Sequence, residues 1–282
     1  MKVLPFKIPK PLNDAIIYQV DCEDAFYDKL HQHEEIQISC IVEGKGTLLV
    51  GDSINNFKKD DIIVLGSNIP HVFKSDFNSN KKSHMISLFF NLHSFGDHFF
   101  GLEELREIQN FFTRAKHGFK VTSKHKAIKD LFFKLRNASK FNRFLILFQI
   151  LKLASTAKYS SLSSFIYDKK MTDNEGSRMR NVFEYTMDHF KSEITLDTIA
   201  EVANMTKNAF CKYFKKRTNK TYFRFLNELR IEHACNLLIS KKEYNIADIA
   251  ELSGYKNLSN FNRQFQKHKQ QKPTQYRINN KL

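Results

Sequence analysis

The chain has 282 residues, enough for two domains that each bury a hydrophobic core. Its 45 basic and 30 acidic side chains give a net charge of +15, and residues 177–282 hold 20 of the basic and 10 of the acidic ones. Because the excess is concentrated towards the C-terminus, it favours nucleic acid over a membrane surface as the anionic partner.

Cysteine spacing and hydropathy exclude several other classes of protein. The four cysteines have no paired spacing, which predicts neither a zinc site nor a disulfide framework and fits a reducing cytoplasm. The N-terminus lacks an apolar stretch of signal-peptide length. The most apolar segment, residues 141–154, is too short to span a bilayer and contains Arg143, Gln149 and Lys152. We therefore expect a soluble, cytoplasmic protein that does not enter a membrane.

Residues 1–95 show the pattern of β-structure. Short runs rich in branched side chains occupy residues 36–42, 47–50 and 61–65, and Gly, Asn and Asp residues separate them. This spacing is typical of an antiparallel barrel or sandwich.

From residue 96 to 155 the hydrophobic pattern has a helical period. Two amphipathic stripes come first, and they consist of Leu105, Ile108, Phe112, Ile128, Leu131, Phe132 and Leu135. Residues 141–153 are apolar almost all round, which predicts a helix covered on one side by its own domain and on the other by a second subunit. Residues 156–177 hold five serines and little periodicity, and they are predicted to form a linker.

Residues 178–282 are predicted to be helical throughout, and they contain one pattern twice. The first copy is residues 199–205 followed by Phe210 and Phe214, and the second is residues 249–255 followed by Phe261 and Phe265. Each copy combines a small residue in a first helix, a turn residue that tolerates a left-handed backbone, and two Phe four positions apart in a second helix. These are the requirements of a helix-turn-helix motif, so the sequence predicts two of them.

Capping residues and an uninterrupted connector place the two motifs. The predicted N-caps of their four helices are Thr195, Thr206, Asn245 and Asn257. Residues 222–239 between the motifs contain no Gly or Pro, which predicts one helix about 27 Å long. Recognition helices that enter successive major grooves lie roughly 34 Å apart. A rigid connector of about this length would let one chain place both recognition helices on the DNA.

The C-terminal segment resembles the DNA-binding domain of the AraC/XylS family of transcriptional regulators. The resemblance rests on residues 227–238, 246–255, 260–265 and 273–277, which follow the family signature at its spacing. The glycine usual after each recognition helix is replaced by Asn219 and Gln270. Gln tolerates a left-handed backbone poorly, so we expect the turn at Gln270 to differ locally.

The resemblance implies which side chains meet DNA. Positions that face bases would be Asn208, Cys211, Lys212, Ser259, Asn260, Asn262 and Arg263, and those near phosphates would be Lys207, Lys215, Lys216, Arg217, Lys256 and Lys267. Arg263 and Lys212 can donate to guanine, and Asn208 or Asn260 can pair with adenine. The alternative for each lysine is a solvated surface charge, and Cys211 is expected to be packed rather than to contact a base.

The N-terminal segment resembles the cupin-like barrel of many AraC-type regulators, through His31, His33, two Gly-containing turns and His71. Histidines two apart on a strand face the same side, and His71 can join them inside the barrel. Three imidazoles can bind zinc, iron or nickel. However, Gln37 stands where cupin enzymes have a glutamate ligand. We therefore predict an effector pocket of His31, His33, Gln37 and His71 without a metal, and the alternative is that the histidines only support the barrel.

The sequence as a whole predicts an α+β protein. Its parts would be a cupin-like β-barrel sensor at residues 1–95, a helical dimerisation region at 96–155, a linker at 156–177 and an all-α double helix-turn-helix domain at 178–282. We expect a sequence-specific transcription regulator that binds double-stranded DNA, RNA polymerase and a second copy of itself. The resemblance to the family favours an activator over a repressor. No catalytic set and no cofactor beyond a small-molecule effector are predicted. The alternatives are a metal-dependent cupin enzyme with a DNA-binding appendage and a constitutive DNA-binding protein whose barrel only dimerises.

Overall fold

The computed structural model describes residues 5–8, 14–76, 82–166 and 171–280. The chain divides into two compact units, residues 1–177 and 178–282. In the described ranges, no helix combines the length and the apolar character needed to cross a bilayer.

In the described part of the first unit, nine short strands form two antiparallel sheets. The six-stranded sheet has the order β1-β7-β2-β5-β8-β9, and the three-stranded sheet has the order β4-β3-β6. In chain order the strands are β1 Ile17–Glu23, β2 Ile36–Glu43, β3 Gly46–Val50, β4 Ser53–Phe57, β5 Ile62–Leu65, β6 His71–Ser75, β7 Ser83–Phe90, β8 Phe119–Val121 and β9 Tyr159–Ser161. The predicted β-structure is confirmed, and its three predicted runs are β2, β3 and β5. Strands β8 and β9 lie outside residues 1–95, and β8 lies in the segment that was predicted to be helical.

Both faces of the larger sheet are covered, and strand β2 shows how the sequence achieves this. Side chains alternate along a strand. On β2, Ile36, Ile38 and Cys40 pack in the core shared with the helices, whereas Ile41 packs in the core that includes residues of the smaller sheet. Gln37 and Ser39 are also buried, on the same face as Ile41. The interior between the sheets therefore contains polar groups.

Three helices cover the outer face of the larger sheet: α1 Gln109–Ala115, α2 His125–Lys134 and α3 Lys140–Thr156. The predicted apolar stripes contribute Ile128, Leu131 and Phe132 of α2 to the common core, together with Ile108 and Leu135 from the 3-10 turns next to α1 and α2. In α3 the side chain of Leu147 is fully buried, whereas Phe141 is 69% exposed. Within the chain, one side of this helix is therefore packed and the other is exposed. That a second subunit covers the exposed side remains a prediction.

The described part of the predicted linker 156–177 contains regular structure. Strand β9 pairs with β8 and extends the larger sheet. The side chain of Asp52 then accepts hydrogen bonds from the hydroxyls of Ser163 and Ser164, at 2.7 and 2.5 Å. A buried carboxylate requires hydrogen-bond donors, and the two serine hydroxyls supply them. These hydrogen bonds attach the serines to the β-domain. The next helix, α4 Asp173–His189, begins inside the predicted linker.

The second unit is helical, as predicted. After α4 come α5 Leu196–Val202, α6 Lys207–Thr218, α7 Tyr222–Ser240, α8 Ile246–Leu252, α9 Leu258–Lys269 and α10 Pro273–Asn279. All four predicted N-caps accept hydrogen bonds from the first turn of their helices, and Asn245 forms a full capping box with Asp248. The predicted connector is confirmed as the continuous helix α7.

The turn after α9 has almost the same backbone conformation as the turn after α6, although the sequence predicted a difference. Gln270 adopts φ 56°, almost the same left-handed backbone as Asn219 at φ 54° after α6. In both turns the cap N–H donates to the carbonyl four residues earlier, on Gln266 and Lys215. The expected local difference is therefore wrong: the hydrogen-bonded C-cap holds Gln270 in a conformation that glutamine disfavours.

Replacing Gln270 by glycine should stabilise the second unit. Glycine adopts a positive φ without a steric cost, so we expect the free energy of unfolding to rise by about 1 kcal/mol. Urea denaturation followed by circular dichroism measures this change. Asn219→Gly is the matched control and should gain less, because asparagine already tolerates this backbone. An equal or larger gain at Asn219 would contradict the interpretation.

Candidate functional site

The first helix-turn-helix motif consists of α5 and α6 and is held by an aromatic core. At the turn, Asn204 has φ 50°, and the next N–H, of Met205, donates to the carbonyl of Ala200 at 2.9 Å. Phe210 and Phe214 of α6 are fully buried. The ring of Phe214 lies against the rings of four aromatic residues, which are Phe183, Phe210, Tyr222 and Phe225. The α6 face that carries the two Phe is therefore the packed face.

The second motif, α8 and α9, repeats this arrangement. Gly254 has φ 84°, and the following N–H, of Tyr255, donates to the carbonyl of Ala250 at 2.9 Å. Phe261 and Phe265 are fully buried in a cluster with side chains of α7. The second motif has one more residue, Lys256, between the turn and the N-cap. The sequence repeat thus corresponds to a structural repeat down to the turn hydrogen bond.

Arg230 of α7 joins the second motif to the end of α4. Its guanidinium donates to the carbonyls of Phe190 and Ser192, at 2.7 and 2.8 Å. The same guanidinium lies 5.6 Å from the ring of Tyr255, which favours a cation. Burial lowers the pKa of Arg230, and the neighbouring Tyr255 opposes this effect. Sequence reasoning missed Arg230, and its only signal was its place in the signature segment 227–238.

The sides of α6 and α9 opposite the buried Phe are exposed and polar. Positions 208, 211 and 212 of α6 correspond to 259, 262 and 263 of α9, and in each helix these three lie on one face. All seven predicted base-facing side chains are exposed: Asn208, Cys211, Lys212, Ser259, Asn260, Asn262 and Arg263. The expectation that Cys211 is packed is therefore wrong, because its neighbour Phe210 takes the buried position.

The guanidinium of Arg263 is oriented by a neighbour on its own helix. Its Nη2 donates to the side-chain oxygen of Asn260 at 2.9 Å. The two side chains therefore present a fixed pair of polar groups to solvent, one with several donors and one with an amide donor. Such a pair can hydrogen-bond to the edges of bases.

Most of the predicted phosphate-facing side chains are exposed as well. Lys207, Lys215, Lys216, Lys256 and Lys267 are exposed, whereas Arg217 is half-buried. Two of these lysines pair with carboxylates at 2.7–2.8 Å, Lys207 with Asp197 and Lys256 with Glu193. The hydrogen bond to Asp197 raises the pKa of Lys207, and the hydrogen bond from Lys256 lowers the pKa of Glu193. Exposed pairs of this kind are weak, so a phosphate can replace the carboxylate.

Three histidines converge in a cavity of about 310 Å³ in the β-domain. His31 and His71 exchange two backbone hydrogen bonds, at 2.9 and 3.1 Å, which fix the two residues side by side. The ring of His71 lies 4.4 Å from the ring of His31 and 5.0 Å from that of His33. One nitrogen of each ring lies within 4.8 Å of the others. The structure thus brings together the three histidines that the sequence selected.

Gln37 connects this cluster to the interior of the sheet. Its Oε1 lies 3.1 Å from Nε2 of His33, and its Nε2 donates to the hydroxyl of Ser39, which bonds to that of Ser87. Sequence reasoning missed the two serines, although their signal was present: Gln37 and Ser39 alternate with apolar residues on β2. The aromatic side chains of Phe26, Tyr27, Phe73 and Phe89 also line the cavity.

The geometry defines a class of protein: a double helix-turn-helix domain that follows a β-domain with an interior polar cavity. Residues 199–279 match the family model of a helix-turn-helix domain, and residues 15–88 match that of an AraC-like ligand binding domain. Together the matches cover more than half of the chain. The chain belongs to the AraC family of transcription regulators.

Curated relatives agree with this assignment. The HTH-type transcriptional regulator YdeC of Bacillus subtilis is 29% identical over 100 residues, which cover 36% of this chain and 34% of that protein. The HTH-type transcriptional activator RhaS of Escherichia coli is 30% identical over 95 residues, 34% of each chain. This chain thus spans about a third of the length of the relatives it matches. A crystal structure of ToxT from Vibrio cholerae is 16% identical, with 94% of this chain and 97% of that chain covered and a TM-score of 0.37.

Proposed function

We propose that the chain is a sequence-specific DNA-binding transcription regulator. The observation that carries the proposal is the structural repeat: two helix-turn-helix motifs on one connector, each with an exposed polar face on its second helix. The surplus of basic side chains in residues 177–282 supports it, because counterion release from DNA drives association.

In this proposal α6 and α9 enter successive major grooves. Asn208, Cys211 and Lys212 of α6, and Ser259, Asn260, Asn262 and Arg263 of α9, would face bases. The lysines at the helix ends and flanks, and Arg217, would face phosphates. The 19 residues of α7 span about 28 Å, which supports a fixed spacing of the two motifs. The two helices carry different side chains at equivalent positions, so each would recognise its own half-site.

Replacement of Arg263 by alanine tests the proposal. We expect affinity for the operator to fall by about 1–3 kcal/mol, and discrimination to relax at one base step, because a bidentate contact to guanine is lost. The operator can be found by genome-wide mapping of bound sites, and affinity can be measured on operator and random DNA at fixed salt. Equal losses on both DNAs would contradict a base contact.

Two variants serve as controls for Arg263→Ala. Lys215→Ala should weaken binding to all sequences alike and reduce the salt dependence, as loss of a phosphate contact does. Arg106→Ala removes an exposed arginine of the first unit, which pairs with Glu103, and should leave DNA binding unchanged. A loss for Arg106→Ala as large as that for Arg263→Ala would show that charge alone is responsible.

The proposal assigns sensing and assembly to the first unit. His31, His33, Gln37 and His71 would form the effector site, the exposed side of α3 would contact a second copy, and the regulator would act on RNA polymerase in the cytoplasm as an activator. DNA affinity of residues 178–282 and of the full chain should then differ and respond to the effector. Identical, ligand-independent affinities would favour a constitutive DNA-binding protein. Turnover that requires a metal would favour a cupin enzyme.

A further inference from the structure

The hydrogen bonds of the three histidines fix which nitrogen of each ring can bind a ligand. Nδ1 of His31, His33 and His71 lies 2.8–2.9 Å from the main-chain carbonyls of Lys29, Glu35 and Ile69. A carbonyl oxygen can only accept, so each Nδ1 carries the hydrogen. In a neutral imidazole the lone pair is then on Nε2. A carbonyl partner on the far nitrogen is the arrangement that orients histidine ligands of metal ions.

The three rings lie close enough together for one ion to contact all of them. The ring of His71 lies 4.4 Å from that of His31 and 5.0 Å from that of His33, and one nitrogen of each ring lies within 4.8 Å of the others. The side chain of Gln37 lies beside this cluster, with its Oε1 3.1 Å from Nε2 of His33. A separation near 3 Å suits two ligands of one ion, because zinc bonds about 2.0–2.1 Å long at the tetrahedral angle place ligands about 3.3 Å apart.

The surroundings favour a positive ion. The carboxylate of Glu35 lies 3.9 Å from Nδ1 of His33, and Asp21 lines the same cavity. Among the described residues that line the cavity there is no lysine or arginine. The carboxylate near His33 can therefore balance part of the charge that an ion brings into the site.

We propose that His31, His33 and His71 bind one divalent transition-metal ion through Nε2, in place of the metal-free pocket that the sequence predicted. Three imidazoles suit zinc, nickel, cobalt or copper, and not magnesium or calcium, which require oxygen ligands. Three protein ligands leave further positions for Gln37 and for a molecule in the cavity. One nitrogen of each ring lies within 4.8 Å of the others, so the nitrogens need to approach one another by at most about 1.5 Å to reach the ligand spacing around zinc. The ion's role as the effector rests on the proposed function, whereas its binding does not.

Metal titration of the full chain tests this proposal. The purified protein is stripped with a chelator, and Zn²⁺ is titrated in competition with a chromophoric chelator. Co²⁺ is used in parallel, because its visible spectrum reports the geometry. We expect one ion per chain with a dissociation constant in the micromolar range or below, and a Co²⁺ spectrum of low coordination number with nitrogen ligands. Absence of stoichiometric binding by the unmodified chain overturns the proposal.

Variants establish the ligands. His33→Ala and His71→Ala should each weaken binding at least about 100-fold, beyond the 10–100-fold loss that follows removal of an outer-shell partner. Gln37→Glu should bind more tightly, about tenfold or more, because an anionic oxygen replaces a neutral one, and a misfolded variant cannot produce such a gain. Unchanged affinity in the histidine variants, or no gain in Gln37→Glu, overturns the assignment.

Controls separate this site from adventitious binding and from the proposed function. His93→Ala removes an exposed histidine outside the cavity, and Cys22→Ser with Cys211→Ser removes the exposed thiols. None of these changes should alter stoichiometry or affinity, and loss of the ion in any of them overturns the site. DNA affinity is measured on the same samples. Specific DNA binding without metal binding refutes only the metal site, and metal binding without DNA binding refutes only the proposed function.

Discussion

Replacing Gly254 by alanine should lower the free energy of unfolding of the helical unit by about 3 kcal/mol or more. Two costs combine at this position. Its backbone has φ 84°, which side chains rarely adopt, and an added Cβ would lie 2.7 Å from the carbonyl oxygen of Phe190 and 3.0 Å from Nε of Arg230. The clash would therefore also disturb the hydrogen bonds that join α7 to the end of α4. Urea denaturation followed by circular dichroism measures the loss.

The equivalent turn of the first motif supplies the control. Asn204→Ala places alanine in the same left-handed region, at φ 50°, and should cost about 1 kcal/mol, the backbone term alone. The difference between the two variants isolates the close approach at Gly254. Equal losses would show that the contacts with Phe190 and Arg230 are unimportant. The affinity for specific DNA should fall more in Gly254→Ala than in Asn204→Ala, because the turn at Gly254 sets the angle between α8 and α9.

Acid should destabilise the helical unit through His233. Burial, and to a smaller extent the charge of Lys191, lower the pKa of this α7 side chain from 6.5 to about 4. Above pH 6.5 the folded and unfolded states are both neutral at His233. Between pH 6.5 and 4 only the unfolded state takes up a proton, so the free energy of unfolding falls by about 3 kcal/mol as the pH decreases.

The variant His233→Gln isolates this contribution. Glutamine cannot be protonated in this range, and its amide can still hydrogen-bond to the hydroxyl of Ser253, which lies 3.3 Å from Nδ1 of His233. The difference in unfolding free energy between the unmodified chain and the variant should change by about 3 kcal/mol between pH 7 and pH 4. His189→Gln, at an exposed position, is the control for loss of a histidine from the same unit. A difference that does not depend on pH would contradict the assigned pKa.

The architecture of the helical unit was predictable because its signals are local. Helix caps such as Thr206 and Asn245 act within one turn of their own residue. The turn residues Asn204 and Gly254 were recognisable because few residues tolerate a left-handed backbone. Spacing along a helix separated the buried Phe210 and Phe214 from the exposed face. Cys211 was misjudged because its residue type suggested packing, although its helical position placed it among the exposed residues.

The turn at Gln270 shows where residue preference fails. Glutamine disfavours a positive φ, but the hydrogen bond of its N–H to Gln266 and the helix on either side determine the conformation. The described part of the predicted linker is a similar case. Its serines suggested flexibility, yet Ser163 and Ser164 bind Asp52, more than a hundred residues earlier in the chain.

The sequence by itself determined the two helix-turn-helix motifs, their connector, the β-domain and the candidate histidines, because periodicity, caps and turn residues act over a few positions. Only the tertiary structure decided how the histidines meet. It is the pairing of His31 with His71, the carbonyls that orient all three rings and the carboxylate of Glu35 that turn three separate residues into one site. It also decided that Arg230 holds the second motif against α4. Such contacts join groups that are distant in the chain, and their formation depends on the packing of whole sheets and helices.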